Sequence, residues 1–250
     1  MIVRVGKAVR RWGWVNARRL GAWTLVSFAT LPFSAPARAQ IGAVVSAYSD
    51  DRFRGVSVSE GRPVAILDLS YDAPIGLYGG FSGSVVLARG GLKPLSAILN
   101  GGYAKEVGSG LIADVGFVHT RYSHYSGVGT GREYNEIYAA LSGKLIGGRI
   151  SVSPNYLGKS RWTAHGEMFG HLDLTRRTSL AADVGVLVPI QHVVDQSRYG
   201  PEVDARLGIA HRIERLTLHA DVTTRTGSSA FYDVRGHGAV ALILGISSAF

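Results

Sequence analysis

From Gln40 to the C-terminal Phe250, apolar residues recur at every second position in segments of about ten residues, separated by Gly, Pro, Asp and Arg-rich punctuation. That is the period of a β-strand with one apolar and one polar face. Leu67, Leu69 and Tyr71 oppose Asp68 and Ser70; Leu77, Phe81, Val85 and Leu87 share a face with Gly79 and Gly83; Leu95, Ala97, Leu99 and Tyr103 make the next apolar face. Leu111, Ala113, Val115 and Phe117 oppose Asp114, and Ile137, Ala139, Leu141 and Leu145 oppose Glu136 and Lys144. Ile150, Val152 and Tyr156 follow, then Trp162, Ala164, Met168 and Leu172 opposite His165, Glu167 and His171. Leu180, Ala182, Val184, Val186 and Val188 oppose Asp183, and Val203, Ala205, Leu207 and Ile209 oppose Asp204 and Arg206. The last two are Leu216, Leu218, Ala220 and Val222 against His219 and Asp221, and Val240, Leu242, Leu244, Ile246 and Phe250.

With the opening segment from Ile41 to Asp50, the pattern predicts about twelve strands, an even number that suits an antiparallel up-and-down barrel with both ends on one side. Connection lengths support it. APIG, KEVGSG, LIGGR, LTRRT and IERL read as tight turns, whereas RFRGVSVSEGR, SHYSGVGTGR, IQHVVDQSRYG and GSSAFYDVRG are longer, and GKSR is a short exception among the long ones. Short periplasmic turns and long outer loops are the asymmetry of a transmembrane barrel.

A soluble β-sandwich also alternates, so period alone does not choose the compartment. Mid-strand acids decide it, because Asp68, Asp114, Glu136, Glu167, Asp183, Asp204 and Asp221 share the polar faces, which a wet lumen tolerates and a dry core between sheets does not. The opposite faces carry Gly, Ala and large apolar residues with almost no charge. Their aromatics fall near strand ends, Tyr71, Tyr103 and Phe250 at one rim and Phe117, Tyr156 and Trp162 at the other, as interfacial girdles do. No run supports a membrane helix, since Leu20 to Phe33 is too short for a hydrocarbon core of roughly 30 Å and contains Pro32.

Charge first suggests a different reading. The chain has 250 residues and a formal net charge of +9, yet seven of its basic residues precede position 40, where there is no acid. Beyond that point 20 bases face 18 acids, so no basic footprint for nucleic acid remains. The basic n-region, the apolar stretch LGAWTLVSFATLPF and the small-residue site Ala37-Arg38-Ala39 compose a secretory signal spanning residues 1–39, with cleavage expected before Gln40. Arg10-Arg11 is followed by Trp12-Gly13-Trp14 rather than an apolar continuation, which favours the general secretory route. Residues 40–250 then form one barrel domain. With no cysteine, stability must come from backbone pairing and packing, not from disulfides.

The predicted pore lining is Asp68, Asp114, Glu136, Lys144, His165, Glu167, Asp183, Asp204, Arg206, Asp221 and Arg225, with Arg52 and Arg54 at the mouth. The two arginines stand at period-two spacing, placing both guanidiniums on one side of the first hairpin. They either bind anionic solutes or, as a purely structural pair, clamp an inward-folded loop to lumenal acids. His165 and His171 share a strand face but lie about 20 Å apart, too far for one metal. His119 and His211 lie on the apolar face near opposite rims, and no spacing suggests a catalytic nucleophile. GVGTG (127–131) lacks the Lys-Ser/Thr ending of a phosphate loop. The expected function is a non-enzymatic channel for small polar solutes or ions, requiring no cofactor and surrounded by outer-membrane lipid. A plugged structural or adhesive barrel, or a barrel enzyme acting on lipid, are the alternatives.

Two segments carry a resemblance to known proteins. The alternating end Val240, Leu242, Leu244, Ile246, Ser248 and Phe250 looks like the terminal strand of bacterial outer-membrane proteins, which implies recognition by the barrel-assembly machinery. SDDRFRGVSVSEGRP (Ser49 to Pro63), followed by an alternating strand and GLYGGFSGSV, resembles the TorF family of proteobacterial outer-membrane porins, as does EYNEIYAALSG (Glu133 to Gly143). Arg52, Arg54, Gly55, Ser57, Ser59 and Gly61 match that pattern, while Asp51 replaces its usual Tyr. The likeness spans roughly a quarter of the segment after residue 39 and implies an outer-membrane channel.

Overall fold

The computed structural model describes residues 39–128, 132–158, 162–190, 200–226 and 240–250; the predicted leader up to residue 38, parts of the GVGTG (127–131) and GKSR (158–161) segments, most of the long segment at 190–200 and all of that at 227–236 lie outside them. Twelve strands pair antiparallel, in chain order, into one closed barrel. They are β1 (Gln40–Tyr48), β4 (Val64–Asp72), β5 (Leu77–Ala88), β6 (Gly91–Gly108), β7 (Leu111–Tyr122), β8 (Glu133–Ser142), β9 (Ile146–Ser153), β10 (Thr163–Asp173), β11 (Thr178–Pro189), β12 (Glu202–Ile213), β13 (Leu216–Thr226) and β14 (Val240–Ala249). Between β1 and β4 a separate hairpin of β2 (Arg52–Phe53) and β3 (Val56–Ser57) leaves the wall.

β1 closes the barrel against β14 from Val44↔Ala249 to Tyr48↔Gly245. Reciprocal backbone hydrogen bonds between Ala43 and Phe250, 2.9 and 3.3 Å long, extend that seam to the last residue. Closure leaves no unpaired sheet edge, the condition for placing strands in lipid. Both ends of the described chain lie at the rim bearing the short connections 73–76, 109–110, 143–145, 174–177 and 214–215. The opposite rim carries the longer connections, except for the two-residue turn Arg89–Gly90, where Gly90 adopts φ 85°.

Alternation sorts the faces as the pattern predicts. Leu67, Leu69, Leu99, Leu141, Val184, Leu218 and Leu244 are exposed on the outer wall, while Asp68, Asp114, Glu136, Asp183 and Asp221 are buried on the inner one. Two apolar positions break the rule. Leu95, expected outward with Leu99, is fully buried, because it is the extra residue where the β5–β6 register shifts from Ser84↔Ser96 to Val85↔Pro94; a bulge reverses the facing of everything beyond it. Tyr156, expected on the outer face, instead lies in a short 3-10 turn (Tyr156–Gly158) and packs inside.

Inward glycines let large side chains from a neighbouring strand lie flat along the wall. The Tyr48 ring lies over Gly245, the Tyr78 hydroxyl end over Gly102, and Tyr138 over Gly116. Gly245→Val would drive a branched side chain into the Tyr48 ring at the closing seam. Overpacking of this kind costs about 1–3 kcal/mol, so the urea midpoint of the refolded barrel in detergent is expected to fall, with Gly90→Ala at the opposite turn as a comparison carrying backbone strain alone.

Candidate channel lumen

The polar interior is concentrated on four consecutive strands. Glu167 on β10, Asp183 on β11, Glu202 and Asp204 on β12 and Asp221 on β13 all point inward, each only 3–7% exposed. Period-two facing and direct strand pairing put them there: Asp183 stands opposite Arg206, and Gly185 stands between Glu167 and Asp204. A Cβ at Gly185 would collide with the imidazole of His165, so glycine is what allows His165 Nε2 to come within 3.3 Å of Asp204 Oδ1. Arg206 Nη2 lies 2.8 Å from Asp221 Oδ1, and Arg225 Nη1 lies 3.5 Å from Glu202 Oε2. Five carboxylates therefore share two guanidiniums on this wall.

A second polar group lines the facing strands. Tyr78 on β5 donates to Asp114 Oδ1 on β7 at 2.7 Å and also hydrogen-bonds the Tyr138 hydroxyl on β8. Arg149 on β9 stacks over the Tyr138 ring at 5.0 Å. Asp68 is buried on β4.

Across the lumen between these walls lies the β2–β3 hairpin. Its two-residue turn, Arg54-Gly55, has φ 50° and 74°, the doubly left-handed geometry of the tight hairpin turn that matches strand twist. Glycine adopts it without strain. Arg54 does not, and its conformation is held from the far side by an ion pair of 2.8 Å from Nη2 to Glu136 Oε1 and by stacking on Phe53 and Tyr156. The tip reaches β13, where a Cβ on Gly55 would sit 2.7 Å from Arg225 Cβ.

Asp50 fastens the base of the hairpin. Its Oδ1 accepts from Ser57 Oγ (2.5 Å), Ser59 Oγ (2.7 Å) and the Gly61 amide (3.2 Å), and its Oδ2 accepts from Arg52 Nε at 2.8 Å. The spacing R-x-R-G-x-S-x-S-x-G thus has a physical reading: it supplies the donors that converge on one buried carboxylate and the turn that lets the segment double back. Phe53, Val56 and Val58 then pack with Tyr122, Tyr134, Tyr156 and Leu157 into an apolar cluster inside the long-loop half of the barrel.

Of the residues predicted to line a pore, Asp68, Asp114, Glu136, His165, Glu167, Asp183, Asp204, Arg206 and Asp221 are buried on the inner faces, and Arg225 is half-buried there. Lys144 is a correction. β8 ends at Ser142, and Lys144 is exposed in the 143–145 turn, because the Gly143 amide bonds to the Ile146 carbonyl and ends the ladder one residue earlier than the alternation suggests. Arg52 and Arg54 are also not at an open mouth: both are buried, and the ion-pair clamp on an inward-folded loop describes them. Glu202, Arg149, Tyr78 and Tyr138 were not among the expected lining residues. Their parity with Asp204, Ser151, Ser82 and Glu136 was the available signal.

The profile of a family described as "Bacterial protein of unknown function (Gcw_chp)" matches residues 34–236. The chain belongs to that family. No curated protein sequence matches it significantly. Among solved structures, this family member resembles the NanC porin (TM-score 0.54, 8% identity, 84% of this chain and 99% of that one). It also resembles the KdgM porin (0.52, 8%, 84% and 99%) and an outer-membrane channel from Pseudomonas putida F1 (0.53, 14%, 86% and 96%). At these identities the likeness establishes the fold, a closed antiparallel barrel of the outer-membrane porin type.

Proposed function

We propose that the protein is an outer-membrane channel of the TorF porin type, exported with cleavage before Gln40, that passes small polar solutes and ions through a lumen narrowed by the β2–β3 hairpin. The carrying observation is the charged interior inside an apolar shell: ten buried acids (Asp50, Asp51, Asp68, Asp114, Glu136, Glu167, Asp183, Glu202, Asp204 and Asp221) against the buried arginines Arg52, Arg54 and Arg206 and the half-buried Arg149 and Arg225. Keeping that excess in a dry interior would cost several kcal/mol per uncompensated ion. Water and mobile cations remove the cost. The structural likeness to the NanC and KdgM porins and to the Pseudomonas outer-membrane channel supports the same reading.

One observation favours a second reading, a non-conducting structural barrel: the hairpin and its apolar cluster fill the long-loop half. Reconstitution of the refolded chain in planar bilayers separates the two. Discrete conductance steps, smaller than those of a barrel of equal strand number without an inward loop, are expected; insertion without any steps would establish the structural barrel instead.

A further inference from the structure

The rim bearing both ends of the described chain is uneven in charge. Lys144 in the β8–β9 turn, Arg176 and Arg177 in the β10–β11 turn and Arg215 in the β12–β13 turn are all exposed, and none forms an ion pair among the described residues. The other two turns on this rim, 73–76 and 109–110, contain no charged residue. The acids interspersed on the basic side are few: Asp173 hydrogen-bonds His171 at 2.9 Å, and Glu214 occupies a left-handed position in its two-residue turn.

Apolar residues are interleaved with these cations on the same turns. Leu145 beside Lys144 is 52% exposed, and Leu174 beside the arginine pair is 50% exposed. Ile213 and Leu216 flank the Glu214-Arg215 turn and are exposed as well. A purely aqueous rim gains nothing from such leucines. An interfacial one does, because the apolar side chains enter the acyl boundary while the guanidinium and ammonium groups remain at headgroup depth.

The backbone holds the cations in place. Arg212 Nη2 donates to the Arg176 carbonyl at 3.0 Å and the Arg212 amide to the Arg177 carbonyl at 2.8 Å, tying the β10–β11 turn to β12, and the Thr175 hydroxyl accepts from the Arg177 and Thr178 amides. Two of the three basic turns are thereby fixed beside each other as one surface.

We infer that this half-rim is a binding surface for anionic phospholipid headgroups of the periplasmic leaflet, in which the phosphodiesters of neighbouring lipids lie along the row formed by Lys144, Arg176, Arg177 and Arg215. The inference rests on the membrane-spanning reading above and its orientation, with short turns on the periplasmic side, but not on conductance. Arginine forks suit phosphate oxygens bidentately, and clustered cations beside a membrane recruit acidic lipid cooperatively.

The test is native mass spectrometry of the refolded full barrel released from nanodiscs of phosphatidylethanolamine mixed with phosphatidylglycerol. Retained lipid is expected to be enriched about tenfold in phosphatidylglycerol, and the enrichment is expected to vanish in the combined variant Lys144→Gln, Arg176→Gln, Arg177→Gln, Arg215→Gln. Arg89→Gln at the opposite rim should leave it intact. Heat-modifiable migration in electrophoresis reports, separately, whether each variant is a closed, inserted barrel; a wild-type chain that fails to insert would refute the membrane reading itself. Equal retention of the two lipids by an inserted wild-type barrel, or enrichment unchanged in the four-fold variant, would overturn the inference. So would binding of soluble peptidoglycan fragments that displaces the retained lipid, which would assign the surface to the acidic cell-wall polymer.

Discussion

Replacing Asp51–Val58 with a Gly-Ser-Gly linker is expected to raise single-channel conductance severalfold while the barrel stays closed. None of the removed residues belongs to the twelve-strand ladder, because β2 and β3 pair only with each other. A short linker suffices, since the Val58 amide already bonds to the Asp51 carbonyl at 2.7 Å and the two ends of the excised segment therefore lie side by side. What disappears is the Arg54-Gly55 tip between β8 and β13 and the apolar contribution of Phe53, Val56 and Val58 to the cluster that fills this half of the lumen. Asp50→Ala tests the same device by one atom group. It leaves the buried Arg52 guanidinium without its carboxylate and removes the acceptor shared by Ser57, Ser59 and Gly61, a loss of about 3–5 kcal/mol for a broken buried pair. The apolar contacts of the hairpin persist in that variant, so intermittent rather than permanent widening is expected, seen as added current noise. An excised variant that conducts like the parent would place the constriction elsewhere.

The second large effect concerns ion preference. Potassium should be favoured over chloride in a KCl gradient, and Asp114→Asn combined with Asp183→Asn should lower the permeability ratio. The hairpin matters here too. Arg52 is matched by Asp50 and Arg54 by Glu136 at 2.8 Å each, so the guanidiniums that most directly threaten a cationic preference are neutralised where they stand. The β10–β13 wall keeps its excess of acid, and Asp183 Oδ1 there has no hydrogen-bond partner among the described residues. Fixed charge of one sign in a narrow, low-dielectric lumen concentrates the opposite ion. The effect is expected to be clearest in dilute electrolyte, because at about 0.1 M the screening length is near 10 Å, comparable with the pore. Chloride preference in the parent chain would show that Arg149, Arg206 and Arg225 dominate the field instead.

Much of this architecture was legible because its cause is local. In a strand the side chains alternate whatever the partner is, so Leu67 and Asp68, or Val184 and Asp183, are assigned to opposite faces by the chain itself, and the abundance of acid on one face requires that face to be wet. Strand number and the alternation of short and long connections follow from the same reading. The resemblance of SDDRFRGVSVSEGRP pointed to the segment that later proved to cross the lumen, but not to where it goes.

Where prediction missed, the cause lay in a partner distant along the chain. Leu95 turns inward only because β6 accommodates an extra residue against β5, and Lys144 leaves the lumen because the β8–β9 ladder closes at Ser142↔Gly147. Arg54 could be read as a mouth residue until Glu136, 82 positions later, was placed opposite it. Gly185 carries no signal of its own, yet it is the gap into which the His165 imidazole lies on its way to Asp204. Period and turn chemistry are properties of a few consecutive residues and so are determined by the sequence directly; the bulge, the inward hairpin and the charge pairs inside the lumen depend on which strands closure brings face to face, and only the tertiary structure decides that.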